Sequence, residues 1–314
     1  MQLTSNTRAF IEAEQYSDFI LMNLHDGLLP GSFYRDVADF MHGDTLHIKT
    51  IGTVTLQETE EDTPLTYNPI ESGEITFTIT EYVGDAWYVT DDLREDGAQV
   101  EQLMAARATE HTRAMQEEFE TKFLETAASV FASATDGVPV NGFNHFIVSS
   151  ASNNTFDLDY LIDLRLAADK ANVPAAGRVF IVDPVVEATL NKNVSITNDV
   201  TPFAEAILRS GLASGQRFIS NWFGWDIMTS NRLYRGAAND GTTSLSDAVF
   251  NVGMCILDDQ TKPVMAAWRR RPSVEGERNK DRRRDEFVDT ARYGFGIQRI
   301  DTLFCVATSP TATS

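Results

Sequence analysis

The sequence predicts an α+β fold, and three observations predict it. Residues 46–56 and 74–83 alternate apolar and polar side chains with period two, the pattern of a β-hairpin. Residues 97–131 carry apolar side chains mostly four apart, the pattern of one very long helix. Beyond residue 157, short helix and strand patterns interleave in the manner of an α/β unit. Of the 314 residues 42% are apolar and 23% charged, enough for a large core and unlike a disordered chain.

The elements follow in chain order. Residues 8–24 place Phe10, Ile11, Phe19, Ile20, Leu21 and Leu24 at loosely helical spacing, and Gly27, Pro30 and Gly31 then break the pattern, which reads as an extended arm. In the hairpin, Leu46, Ile48 and Thr50 share one face of the first strand, and Ile75, Phe77 and Ile79 alternate with Thr76, Thr78 and Thr80 in the second. A two-stranded ribbon is marginal alone, so its apolar face must lie on something else, another chain being one candidate. Its tip is acidic, and residues 51–96 hold 12 acids against the single base Arg94. The helix stripe runs through Val100, Met104, Ala108, Met115, Phe119, Phe123, Ala127 and Val130. Thirty-five residues give roughly 50 Å of helix, and a narrow stripe predicts burial on one side, along a sheet or a neighbouring subunit. Asp91 and Asp92 ahead of it suit the helix dipole, and Gly137 follows it.

In the second half, Asp157 is a capping residue for a helix ending near Lys170, and residues 178–182 form a buried-type strand. Asp183-Pro184 and Thr201-Pro202 each set a cap before a proline at the first helical position, the second helix closing at Gly211. Strands are predicted at 225–229, 262–268, 287–293 and 303–306.

The formal charge of −20 disfavours nonspecific DNA binding. The one basic concentration is Arg269, Arg270, Arg271, Arg278, Lys280, Arg282, Arg283 and Arg284, eight of the 26 bases within 16 residues and only three acids among them. Such asymmetry suits a partner surface, although a solvated hairpin or a DNA contact would also carry it. No run approaches the roughly 18 apolar residues of a membrane helix, residues 248–257 being interrupted by Asn251 and Gly253. Residues 1–8 show no secretory pattern. Cys255 and Cys305 match no zinc or redox spacing and read as free, buried thiols. Phosphate-loop, nucleophile-elbow and zinc-protease motifs are missing, so no cofactor, metal or catalytic residue is expected. His42 and His47 fall on opposite faces of an extended strand, Glu117 and Glu118 point about 100° apart on a solvated helix face, and Asn153-Asn154-Thr155 reads as a loop.

Three motifs in this order carry a resemblance: Gly43-Asp44-Thr45-Leu46-His47-Ile48 opening the hairpin, Gly224-Trp225-Asp226-Ile227-Met228-Thr229-Ser230-Asn231 entering a turn, and Tyr293-Gly294 with Ile297, Leu303 and Val306 near the end. With the arm, the hairpin, the long helix and the α/β unit, the chain resembles major capsid proteins of tailed bacteriophages, the Hong Kong 97-like capsid fold. The resemblance implies an N-terminal arm over 1–45, an extended β-hairpin E-loop over 46–95, a peripheral domain with its spine helix over 96–157 and an α/β axial domain over 158–261. It assigns peripheral-domain strands and an arginine-rich loop to 262–298, and a return strand and tail to 299–314. The implied function is architectural: many copies in pentamers and hexamers form an icosahedral head shell, in the virion, around double-stranded DNA that is bound without sequence specificity and without a membrane.

The resemblance also implies a separate scaffolding protein, a portal and a decoration protein as partners. Intersubunit contact is expected between the E-loop tip, Glu58, Glu60, Glu61 and Asp62, and the arginine-rich loop. Residues 51–96 contain no lysine and Lys49 sits at the hairpin root, so the lysine–asparagine cross-link of some relatives is not expected. Two alternatives remain at this point: an encapsulin-like compartment shell, and an acidic cytosolic α+β enzyme.

Overall fold

The computed structural model describes residues 33–37, 45–51, 56–59, 61–62, 67, 72–96, 100–196 and 218–311. Strands β1 (Arg35–Val37), β2 (Thr45–Ile51), β3 (Ser72–Thr78) and β4 (Glu81–Thr90) lead into a short helix α1 (Asp91–Asp96) and the long helix α2 (Val100–Ala132). The strand expected over 74–83 is thus two strands. β3 pairs with β2, Leu46 opposite Phe77 and Ile48 opposite Ile75, but β2 starts at Thr45 opposite Thr78. Past Thr78 the chain therefore takes a new partner, and β4 runs antiparallel to a strand from the far end of the sequence. Asp91 and Asp92 form the first turn of α1 rather than flanking the long helix, and Thr90 Oγ1 caps α1 by accepting from the Leu93 N–H.

Burial changes along α2. Leu103 in its first half is 52% exposed, whereas Phe123, Leu124, Ala127, Ala128 and Phe131 are buried. The expectation of one-sided burial holds, and the expectation of a narrow stripe is corrected for this last part: these five residues occupy adjacent positions over an arc of about 140°, widen the stripe and let it enter the core.

After α2 come β5 (Pro139–Val140), β6 (Phe143–Asn144), β7 (Phe146–Val148), α3 (Leu158–Lys170), β8 (Arg178–Val182) and α4 (Pro184–Ile196). Asp157 caps α3 by accepting from the Asp159 N–H, and Asp183 Oδ2 caps α4 by accepting from the Val185 N–H, with Pro184 at the first position. The helix expected after Thr201-Pro202 lies outside the described residues. The chain ends with β9 (Phe218–Trp222), β10 (Trp225–Thr229), β11 (Arg235–Asn239), β12 (Ser244–Cys255), β13 (Val264–Asn279), β14 (Arg284–Ile297) and β15 (Leu303–Thr308).

Two main sheets result. A mixed seven-stranded sheet has the order β7-β15-β12-β8-β10-β9, with β11 added to β12, and a four-stranded sheet has the order β1-β13-β14-β4. The larger sheet is covered on both faces, as its near-continuously apolar strands require. Leu124, Phe131, Phe146 and Phe250 pack between α2 and one face, while Leu161, Leu164, Phe180, Trp225 and Phe304 fill the other. Cys255 and Cys305 are free and buried in it, and burial holds the Cys305 thiol well above the usual thiol range.

A third, small cluster joins Phe77 and Ile79 to Met265 and Ala267. Gly294 and Gly296 make this approach possible: a Cβ on Gly296 would meet the Phe77 ring at 2.3 Å, and one on Gly294 would meet Ile79 Cα at 2.8 Å. At its root, then, the apolar face of the hairpin is covered within the same chain, because two glycines in β14 provide the seat. Farther out, Leu56 and Tyr67 are 91% and 97% exposed.

Candidate assembly surface

The basic concentration lies in a β-ribbon, which corrects the expectation of a loop. Arg269, Arg270, Arg271 and Arg278 belong to β13 and Arg284 opens β14, so only residues 280–283 make the turn. The long ribbon forms because β14 pairs with β4 as well, Phe287 facing Trp87 and stacking on it at 5.6 Å between ring centroids. In this register most of the arginines meet acids. Arg278 grips Asp91 through two bonds of 2.6 and 2.7 Å and also reaches Asp285 at 3.1 Å. The hydrogen bond from Arg278 holds the Asp91 carboxyl below its usual range, and the same pairing raises the guanidinium. Arg284 pairs with Glu286 at 2.6 Å and lies over the Tyr88 ring, Arg270 pairs with Glu275, and Arg271 stands 3.7 Å from Asp36. Arg269 is engaged as well.

Lys280, Arg282 and Arg283 differ. They are exposed at the turn and make no ion pair among the described residues. Glu58, Glu61 and Asp62 on the hairpin side are likewise exposed and without an ion pair among the described residues, and Glu60 lies outside them. Five of the eight bases are thus engaged within the chain, and three cations and three acids are left facing solvent.

Several buried polar groups escaped the sequence reading. His111 on α2 approaches Asp289 of β14 through Nε2 at 2.5 Å and Asp85 of β4 through Nδ1 at 3.1 Å. Its position, three after Ala108 and four before Met115, placed a histidine on the apolar stripe, and that was the available signal. Glu117 is not on a solvated face: Arg232, from the segment before β11, reaches it at 2.9 Å and also approaches the buried Glu120 at 3.5 Å. Ser230 Oγ donates to Glu120 at 3.0 Å. The spacing of Glu117 and Glu120, one turn apart, could have suggested a shared cation.

His145, next to β7, is fully buried, its Nδ1 donating to the Leu303 carbonyl at 3.1 Å and its Nε2 without a hydrogen-bond partner among the described residues. Burial pushes its pKa below the ordinary histidine value, against the pull of the Leu303 carbonyl and Asp301. The unfolded chain then binds this proton more readily than the folded one. Stability contributed by the neutral ring is present above about pH 6.5 and declines as the pH falls through the folded value. Acid denaturation followed by tryptophan fluorescence should show a loss below about pH 6.5 that His145→Gln reduces; an identical profile in the variant would remove His145 from the explanation.

Among the described residues no helix is long and apolar enough to cross a membrane. No curated protein matches the sequence. Solved structures match throughout. The capsid of cyanophage P-SCSP1u superposes with a TM-score of 0.70 at 15% identity, over 97% of this chain and 94% of that one. The mature capsid of bacteriophage PhiM1 gives 0.71 at 13%, over 96% and 93%, and Mycobacterium phage Che8 gives 0.62 at 17%, over 94% and 97%. These likenesses establish the fold. The sequence profile of the phage capsid protein family matches residues 73–308, from β3 to the end of β15. The chain belongs to the phage capsid protein family, and it is a major capsid protein, a structural subunit of the head shell of a virion.

Proposed function

We propose that copies of this chain, as pentamers and hexamers, close into an icosahedral shell around double-stranded DNA, and that the β13–β14 turn docks on the acidic hairpin tip of a neighbouring copy. One observation carries the docking: among the described residues Lys280, Arg282 and Arg283 have no ion pair, and neither do Glu58, Glu61 and Asp62. Arginine suits such joints because its fork binds a carboxylate through two hydrogen bonds. Each contact is worth little alone at an exposed site, but a repeated lattice multiplies it. In this reading β2, β3 and the residues between them are the E-loop, α2 is the spine helix, and the seven-stranded sheet with α3 and α4 forms the axial unit. A separate scaffolding protein, a portal and a decoration protein are the partners proposed for assembly. The subunit does no chemistry of its own, and its −20 charge keeps DNA from adhering to it.

Charge reversal at the turn, Lys280→Glu with Arg282→Glu and Arg283→Glu, tests the joint. Shell yield, read by electron microscopy and sedimentation, should fall strongly at low salt, and reversing Glu58, Glu60, Glu61 and Asp62 to lysine in the same chain should restore it. Undiminished shells in the triple variant would sink the docking while leaving the shell itself intact.

A further inference from the structure

The face of the four-stranded sheet turned away from α2 holds a cleft of about 580 Å³ lined by Thr80, Tyr82, Arg269, Arg270 and Arg292. All five are exposed or half-buried, so a solute reaches them. The register explains why three arginines meet there. Arg292 of β14 stands opposite Tyr82 of β4 on one side and opposite Arg270 of β13 on the other, so the three side chains form a row on one face. Trp268 is opposite Tyr293, and an unbroken register would therefore set Arg269 opposite Arg292 and turn Arg270 to the helix side. The register shifts between Trp268 and Arg270, and this bulge brings Arg270 onto the same cleft as Arg269. Like charges directly opposite each other on neighbouring strands repel. The chain offsets this only in part: Arg270 pairs with Glu275 and donates to Ser273 Oγ at 3.3 Å, and Arg269 is engaged. Arg292 makes no ion pair or side-chain hydrogen bond among the described residues, and it lies eight residues beyond the basic concentration that the sequence displays.

We propose that this cleft binds a small phosphate-class oxyanion of two or more charges, of the size of pyrophosphate, held by Arg292 and Arg270 with Arg269 and the Tyr82 hydroxyl beside them. Each part of the ligand follows from an observation. Guanidinium groups only donate, so the occupant must accept, and their planar forks match phosphate oxygens bidentately. A lone carboxylate fills one fork, whereas an anion with several oxygens in more than one plane engages opposed arginines at once. Thr80 donates its hydroxyl to Glu81 and contributes only surface. A nucleic acid strand is the poorer occupant, because it brings a long run of negative charge against a chain of charge −20. Bound there, the anion cancels the repulsion between β13 and β14 two residues from Gly294, where the hairpin root is seated. No neighbouring subunit is needed, so the inference stands apart from the docking of the arginine turn.

The test is isothermal titration calorimetry of sodium pyrophosphate into the full-length subunit, in phosphate-free buffer with about 0.15 M salt so that general attraction between charges is screened. One saturable site per subunit is expected. Arg292→Gln should weaken it about tenfold or more, while Lys280→Gln with Arg282→Gln and Arg283→Gln, at the turn, should leave it unchanged. Succinate, and a short thymidine oligonucleotide without a terminal phosphate, should each bind about tenfold more weakly or less. Thermal unfolding gives a second readout. Without pyrophosphate, Arg292→Gln should unfold at or above the temperature of the original chain, since it removes one of two opposed charges, and pyrophosphate should raise the unfolding temperature of the original chain but not of the variant. The proposal is overturned if no saturable heat appears, if Arg292→Gln binds like the original chain, or if the turn variant loses as much binding as Arg292→Gln. It is also overturned if succinate or the oligonucleotide binds as tightly as pyrophosphate, which would make a neighbour's carboxylates or a nucleic acid the occupant. An unfolding temperature lowered by Arg292→Gln in the absence of the anion overturns it too, because Arg292 would then be satisfied within the chain.

Discussion

Replacing His111 with leucine is expected to lower subunit stability by about 3–5 kcal/mol, because it strips a buried carboxylate of its partner. Asp289 Oδ2 faces His111 Nε2 at 2.5 Å, and its other oxygen has no hydrogen-bond partner among the described residues. The ring also faces Asp85, which in turn pairs with Arg107. Ionised carboxylates only accept hydrogen bonds, so the imidazole sits as a donor between two strands, and α2 holds β4 and β14 through one side chain. Most of the loss should be recovered when Asp289 is replaced by leucine in the same chain, since two apolar groups can occupy the space of a buried pair at little cost. Urea unfolding of the subunit measures both. A single variant as stable as the original chain would show that the Asp289 charge is satisfied by other means.

Removing Arg232 is expected to have the next largest effect, about 2–4 kcal/mol for Arg232→Met. Glu120 is 6% exposed and loses a cation when the guanidinium is gone, keeping the Ser230 hydroxyl as a neutral donor, while Glu117 loses a contact of 2.9 Å. The long helix is fixed to the four-stranded sheet through His111 and to the edge of the seven-stranded sheet through Arg232, so the two substitutions loosen different ends of one connection. Their effects should add within about 0.5 kcal/mol in the double variant, as distant sites do. Unfolding curves that give Arg232→Met the stability of the original chain would make the Glu117 and Glu120 contacts ornamental.

Local signals were the legible ones. Asp157 and Asp183-Pro184 start helices where their capping chemistry says they should, because a cap is decided by residues within one turn. The strand at 178–182 and the two strands of the hairpin follow equally from short-range pattern, whereas the register that sets Ile48 opposite Ile75 does not. β12 was not foreseen as a strand although it lies at the centre of the larger sheet. Its buried half does not alternate, and Gly253 reads as a breaker when its actual role is to let the Phe180 ring pack within 2.7 Å of where a Cβ would stand. The basic residues were legible by type and not by partner. Whether Arg278 meets Asp91 depends on the register of β13, β14 and β4 together with α1, and that register is set by contacts nearly two hundred residues apart in sequence. The same holds for His111 and Asp289, whose separation of 178 residues no local pattern spans.

The side chains of β14 are distributed with a period of two, and this gives the strand something like a reading frame. Asp289, Ala291 and Tyr293 point towards the helix, and Gly294 and Gly296 point towards the hairpin. One residue inserted between Tyr293 and Gly294 would put a helix-facing side chain where the glycine seat must be, and the hairpin would lose its footing even though no contact residue had changed. Two residues inserted before Arg284 lie in the turn, leave both faces of β14 as they are and, adding one residue to each arm of the ribbon, carry the basic turn about 3.4 Å outward. Insertions in this subunit are therefore expected to be tolerated at the turn, which precedes the frame of β14, and on the strand itself hardly at all.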